Sequence, residues 1–159
     1  MTEAERGGRP LRVDELMTRN PITVKPGTGV LEARHMMVEK QIRHLLVVGS
    51  DGLLAGIVTD RDIRLNLPSQ ATSLSVWEVN HLLTKLTVGE VMTKTVITVG
   101  PERDARAAAT LMLDHKIGAL PVTDGGKLIG IVTETDILRG FVWLTGGATS
   151  AHPEPPRRA

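Results

Sequence analysis

Two eight-residue stretches concentrate the side chains able to do chemistry. They read Gly56-Ile57-Val58-Thr59-Asp60-Arg61-Asp62-Ile63 and Gly130-Ile131-Val132-Thr133-Glu134-Thr135-Asp136-Ile137. In each, an apolar strand end runs into a Thr, and an Asp follows three residues later. A Thr at a helix N-cap and an acid at N3 form a capping box, each side chain satisfying the other residue's orphan backbone N–H. The same pair has a second use. A helix start carrying a hydroxyl and a carboxylate can hold an anion and the hydroxyls of a sugar. Capping alone accounts for the spacing, and recurrence through duplication is not independent evidence for a ligand.

Other constellations are poorer. His35 and Glu39 stand i, i+4 on a predicted helix and can share a metal, yet no third ligand accompanies them, so a solvated face is expected. Asp60 and Asp62, two apart at a helix start, diverge and make no acid/base pair. His81 has no evident partner, and His115-Lys116 is expected to be exposed at a helix end. Met36, Met37, Met92 and Met112 fall at core-like positions. No Ser-His-Asp pattern, phosphate loop or dinucleotide fingerprint is present, so the protein is not expected to be an enzyme.

Composition narrows the partners. Of 159 residues, 41% are hydrophobic and 23% charged, which is ordinary globular usage. A formal net charge of +1 supplies no field for nucleic acid or an anionic membrane. Cysteine is absent, excluding disulfides and thiol chemistry. Neither a signal peptide nor a membrane span is evident, so a cytoplasmic location is the default expectation. The aromatic residues are only Trp77, Phe141 and Trp143, so any bound base must rest on aliphatic side chains and backbone.

The elements that would carry these stretches follow in order. Residues 1–10 read as a flexible lead-in. Asp14-Glu15-Leu16-Met17 suggests a helical turn, and Ile22-Thr23-Val24 a short strand. Thr28 is placed to cap a helix running to about Lys40, with Val30, Ala33, Met36 and Met37 inward. Leu45-Leu46-Val47-Val48 is an apolar strand, turn residues follow at 49–52, and 53–58 returns as its partner. The pattern restarts at Val88. Residues 13–49 match 88–124 at an offset of 75, and after a one-residue deletion in the hairpin turn the offset becomes 74. The chain is thus a duplicated β-α-β-β-α unit of the α/β (α+β) class. Between the copies, 68–73 reads as a loop, and Ser75-Val76-Trp77-Glu78 opens a helix expected to pack Trp77 and Leu82, Leu83 and Leu86 onto the module. The tail is Gly-, Ser-, Ala- and Pro-rich and expected to be disordered.

Two such units, each ending in Gly-Ile-Val-Thr-x-x-Asp-Ile, with Ile117-Gly118-Ala119-Leu120-Pro121-Val122 before the second hairpin, resemble tandem cystathionine-β-synthase (CBS) domains, a Bateman module. The segment Thr59-Asp60-Arg61-Asp62-Ile63-Arg64, the Trp77 helix and Thr135-Asp136-Ile137-Leu138-Arg139 look most like the module of acetoin-utilisation-type proteins, without their ACT-like extension. The resemblance implies CBS repeats at 11–67 and 88–144, which leaves the flexible terminus at 1–10, the linker with a helix at 68–87 and the disordered tail at 145–159 already read from composition. It further implies repeats packed sheet to sheet about a pseudo-twofold axis, with clefts that take adenosine nucleotides. AMP, ADP or ATP are the expected ligands, magnesium entering only with ATP phosphates and no cofactor being required. S-adenosylmethionine and cyclic di-AMP are the alternatives within the family. A homodimer that signals to an unidentified protein target is implied as well.

Carried onto this sequence, the resemblance gives a first cleft with Asp62 on the ribose, Thr59 and Arg61 toward the phosphate, and Arg43 and His44 as phosphate-side bases. Ile57 forms a wall there, and Thr95 with Ile117 and Gly118 closes the adenine side. A second cleft would use Asp136, Thr133 and Ile131 with Asn20, Ile42 and Arg43. There Gly118 and Ala119 replace the bases at 43 and 44, and Thr135 replaces Arg61, so the first cleft is expected to be the better nucleotide site. The competing expectation is a dimerisation scaffold with degenerate clefts.

Overall fold

The computed structural model describes residues 10–68 and 73–146. The lead-in, the middle of the 68–73 loop and the tail beyond 146 lie outside the described residues. The elements are α1 (Val13–Leu16), β1 (Thr18–Arg19), β2 (Thr23–Val24), α2 (Val30–Glu39), β3 (His44–Val48), β4 (Leu54–Thr59), α3 (Asp60–Asn66), α4 (Val76–Lys85), α5 (Val88–Val91), α6 (Ala105–His115), β5 (Ala119–Asp124), β6 (Lys127–Thr133) and α7 (Glu134–Thr145). Helices and strands are mixed, and the strands form two small sheets, ordered β2-β3-β4 and β1-β6-β5.

The chain divides into two compact units. One is Pro21–Val96; the other joins the residues up to Asn20 with those from Ile97 onward. Each unit therefore holds the hairpin of one sequence copy and the opening helix of the other. In the first unit Val24, Val30, Ala33, Met37, Leu45, Val47, Val58 and Ile63 form a core that Val88 of α5 completes. In the second, Val13 and Met17 join Ala108, Met112, Leu120, Val122 and Val132. Ala33 and Met37 on α2 correspond to Ala108 and Met112 on α6, so the same helical stripe is buried twice.

Both hairpins are antiparallel, and both carry a register irregularity at equivalent places, Val47/Val48 and Val122/Thr123. The second hairpin closes tightly through Gly125 and Gly126, whose positive φ angles of 54° and 83° suit a two-residue turn. That shorter turn is the deleted residue.

Gly56 and Gly130 mark where the exchanged segments come closest. A Cβ on Gly56 would stand 2.8 Å from the Thr93 carbonyl oxygen and 2.5 Å from Met92 Sδ. On Gly130 it would meet the Thr18 carbonyl oxygen at 2.9 Å and Met17 Sδ at 2.7 Å. The backbone contact is made next door: Ile57 N–H donates to the Thr93 carbonyl at 3.0 Å and Thr93 N–H returns to Ile57 at 2.9 Å. Thr18 pairs with Ile131 in the same way. Glycine is needed because backbone lies against backbone.

Two expectations are corrected. The N-cap of α2 is Gly29, not Thr28, whose hydroxyl instead accepts from Lys25 N–H at 3.2 Å and closes the preceding turn. Trp77 is 77% exposed and Leu82 50%, so neither packs onto the module. The inward face of α4 is set by Val79 and Leu83, with Leu86 beyond the helix end packing on the core. At 3.6 residues per turn, Trp77 falls about 160° around the helix from Val79, on the far side. There it stacks on His81, ring centroids 5.8 Å apart and nearly parallel, which gives His81 the partner the sequence did not show.

The capping boxes of α4 and α5 respond to pH. Glu78 is held below the usual glutamate range by the Ser75 hydroxyl and then by Ser75 N–H; Glu90 is lowered by Thr87 N–H and then by the Thr87 hydroxyl. A carboxylate favoured in the folded state stabilises above its ordinary pKa and loses that contribution as pH falls through the lowered native value. Carbon-detected NMR titration is expected to place both midpoints on the acid side of a free glutamate. Fraying of the first turn of α4, read by amide exchange, should follow that acid-side titration and not occur near neutrality. A midpoint at or above the free value would rule the box out as the cause.

Candidate functional site

The Thr-Asp caps are formed in both units. At the start of α3, the Thr59 N–H and the Thr59 hydroxyl both donate to Asp62 Oδ2 at 2.8 Å. Asp62 N–H donates back to Thr59 Oγ1 at 3.1 Å. At the start of α7, Thr133 N–H and hydroxyl donate to Asp136 Oδ2, each at 2.9 Å. The capping chemistry read from the spacing is therefore present twice. One oxygen of each carboxylate is spent on it.

The second oxygen separates the copies. Among the described residues, no donor is bonded to Asp62 Oδ1, and Asp62 is half-buried. Asp136 is 6% exposed, and its Oδ1 accepts from the Arg139 guanidinium at 3.3 Å. Arg139 is a site residue that the motif residues alone do not indicate. Its i, i+3 spacing from Asp136 was the available signal. The corresponding position in the first copy is Leu65, and the nearby Arg64 is engaged elsewhere, with Asp60 at 2.8 Å.

Backbone pairing decides what stands beside each cap. His44 is opposite Thr59 in the β3–β4 ladder, and Asp60 N–H donates to the Arg43 carbonyl at 3.2 Å. Arg43 and His44 are thereby brought to the start of α3. At the other cap, Ala119 is opposite Thr133, and Glu134 N–H donates to the Gly118 carbonyl at 3.0 Å. The geometry is the same and the side chains are neutral.

The remaining site residues divide by unit. Ile57, Thr59, Arg61, Asp62, Arg43, His44, Ile42 and Thr95 belong to the Pro21–Val96 unit. Thr95, exposed, stands two residues beyond Thr93, the pairing partner of Ile57. Ile131, Thr133, Asp136, Asn20, Ile117 and Gly118 belong to the other unit, with Asn20 two residues beyond the Thr18 that pairs with Ile131. Asn20 holds a left-handed φ of 49°, which Asn tolerates better than most side chains. His35 and Glu39 are exposed, and Glu39 pairs with Lys40 at 3.1 Å. No helix among the described residues is long and apolar enough to cross a membrane.

A family model described as "CBS domain" matches residues 13–69 and 88–142. Among curated relatives, a homoserine O-acetyltransferase of Methanocorpusculum labreanum is 36% identical over 78% of this chain, but the match spans 23% of that enzyme's own length. Three solved structures are similar over most of the chain. A putative acetoin utilization protein (AcuB) from Vibrio cholerae has a TM-score of 0.70 at 30% identity, covering 87% of this chain and 95% of its own. CBSX2 in complex with AMP has a TM-score of 0.68 at 33% identity, covering 84% and 98%. The CBS domain pair of protein MJ0100, in complex with 5′-methylthioadenosine and S-adenosylmethionine, has a TM-score of 0.69 at 29% identity, covering 89% and 100%.

Proposed function

The chain belongs to the CBS-domain family, and from that premise we propose that it is a regulatory module that binds an adenosine nucleotide (AMP, ADP or ATP) at the Thr59–Asp62 cap. The observation that carries the proposal is the open Oδ1 of Asp62, with Arg43 and His44 held at the same helix start. A carboxylate is acceptor-only, so one free oxygen can take the hydroxyls of a ribose while the other keeps the cap closed. Arg43 and Arg61, both exposed, supply bidentate partners for phosphate. The likeness to CBS pairs solved with AMP and with S-adenosylmethionine supports an adenosine ligand. A regulatory role is favoured over catalysis because the enzymes among the relatives share only a small part of their length with this chain. Exposed apolar side chains on α6 and α7, among them Leu113, Leu138 and Phe141, support action as a homodimer.

A thermal-shift series with AMP, ADP, ATP, S-adenosylmethionine and cyclic di-AMP tests the proposal. A nucleotide at about 100 times its dissociation constant adds about 2.7 kcal/mol to stability, an upward shift of roughly 5–10 °C for a chain of this size. A shift with the adenine mononucleotides is the expected result. No shift with any of the five would leave the chain as a scaffold.

A further inference from the structure

The two caps are built from the same residues on the same backbone, yet their free carboxylate oxygens differ. Among the described residues no donor is bonded to Asp62 Oδ1, whereas Asp136 Oδ1 carries Arg139. The difference comes from one aligned position. Three residues after each Asp stands Leu65, 72% exposed, in the first copy and Arg139 in the second. The Arg139 side chain is itself 68% exposed while the Asp136 side chain is only 8% exposed, so a solvated cation is seated on a buried anion.

We infer that Arg139 is a specificity-determining residue that ranks the two caps, by occupying the carboxylate oxygen that a ribose diol needs at Asp136. The inference rests on the nucleotide reading given above. A diol donates to a carboxylate; it can do so at Asp62 directly, but at Asp136 it must first displace a charge-assisted hydrogen bond. Because Arg139 is anchored at one end and solvated along its length, the displacement is possible, and its cost lies between that of an exposed ion pair and that of a charged hydrogen bond. That range corresponds to about three- to tenfold in affinity. The second cap is thereby kept as a weaker site, filled at higher nucleotide concentration than the first.

Calorimetric titration of the full chain with AMP separates the possibilities. In an Asp62→Asn background, where the first cap is impaired, adding Arg139→Leu is expected to tighten the residual AMP binding by about three- to tenfold. Conversely, Leu65→Arg in the otherwise unchanged chain should weaken the tighter class by a similar factor. Both substitutions are at exposed positions, and an unchanged melting temperature without ligand checks that each variant is folded. Residual binding that is unchanged or weakened by Arg139→Leu, while the parent chain binds AMP, overturns the role of Arg139 and leaves the nucleotide reading standing. If AMP, ADP and ATP all release no heat with the parent chain and none of them shifts its melting temperature, the nucleotide reading fails and the ranking by Arg139 fails with it.

Discussion

Replacing Gly56 by Ala is expected to cost roughly 2–3 kcal/mol of stability, lowering the melting temperature by about 5–10 °C. The new methyl would stand 2.8 Å from the Thr93 carbonyl oxygen and 2.5 Å from Met92 Sδ. Met92 is a flexible side chain and can turn aside. Thr93 cannot, because its carbonyl and N–H are held by Ile57 at 3.0 and 2.9 Å. The double variant Gly56→Ala/Met92→Ala is therefore expected to recover none of the backbone clash, and to melt no higher than the single one. Gly130→Ala should behave alike against Thr18 and Met17. Thermal unfolding of the three variants checks this, and a melting point for Gly56→Ala within about 2 °C of the parent chain would show that the close approach is not a constraint. A control is available at Gly27, where an added Cβ has nothing within 4 Å.

The second large effect is expected at Asp62. Substitution by Asn keeps an oxygen to accept from the Thr59 N–H and hydroxyl, so the cap survives in a neutral form. What changes is the outward group, from a carboxylate oxygen that accepts to an amide NH2 that can only donate. Hydrogen bonds to a charged partner contribute about 1.5–3 kcal/mol each, so AMP affinity should fall by about ten- to a hundredfold while stability drops by no more than about 1 kcal/mol. Asp136→Asn should cost AMP affinity much less, because that oxygen is already engaged by Arg139. Paired calorimetry and melting curves distinguish the outcomes. If Asp62→Asn bound AMP as the parent does and Asp136→Asn did not, the ranking of the caps would be reversed.

Much of the fold was legible because it was written twice. The offset of 75, its change to 74 at the hairpin, the strands around Leu45–Leu46 and the stripe of Val30, Ala33 and Met37 all follow from local periodicity and turn chemistry. The Thr59–Asp62 and Thr133–Asp136 caps were legible for the same reason, since a capping box joins residues only three apart. Trp77 was misplaced because two faces of α4 carry apolar residues. Only the neighbouring elements decide which of the two turns inward. The Asp136–Arg139 pair is not fixed by spacing, because i, i+3 permits an ion pair without specifying the rotamer that forms it.

Residue order alone specifies the repeated α+β unit, its family resemblance, the two caps and the contrast between Arg43-His44 and Gly118-Ala119. Those features depend on residues near one another along the chain. Tertiary structure alone decided that the opening helix of each copy completes the core of the other copy's hairpin, and hence why Gly56 and Gly130 have no side chain. It also decided that the second oxygen of Asp136 is engaged by Arg139. Both outcomes are set by packing and by competition among donors at short range in space, and no local pattern encodes either.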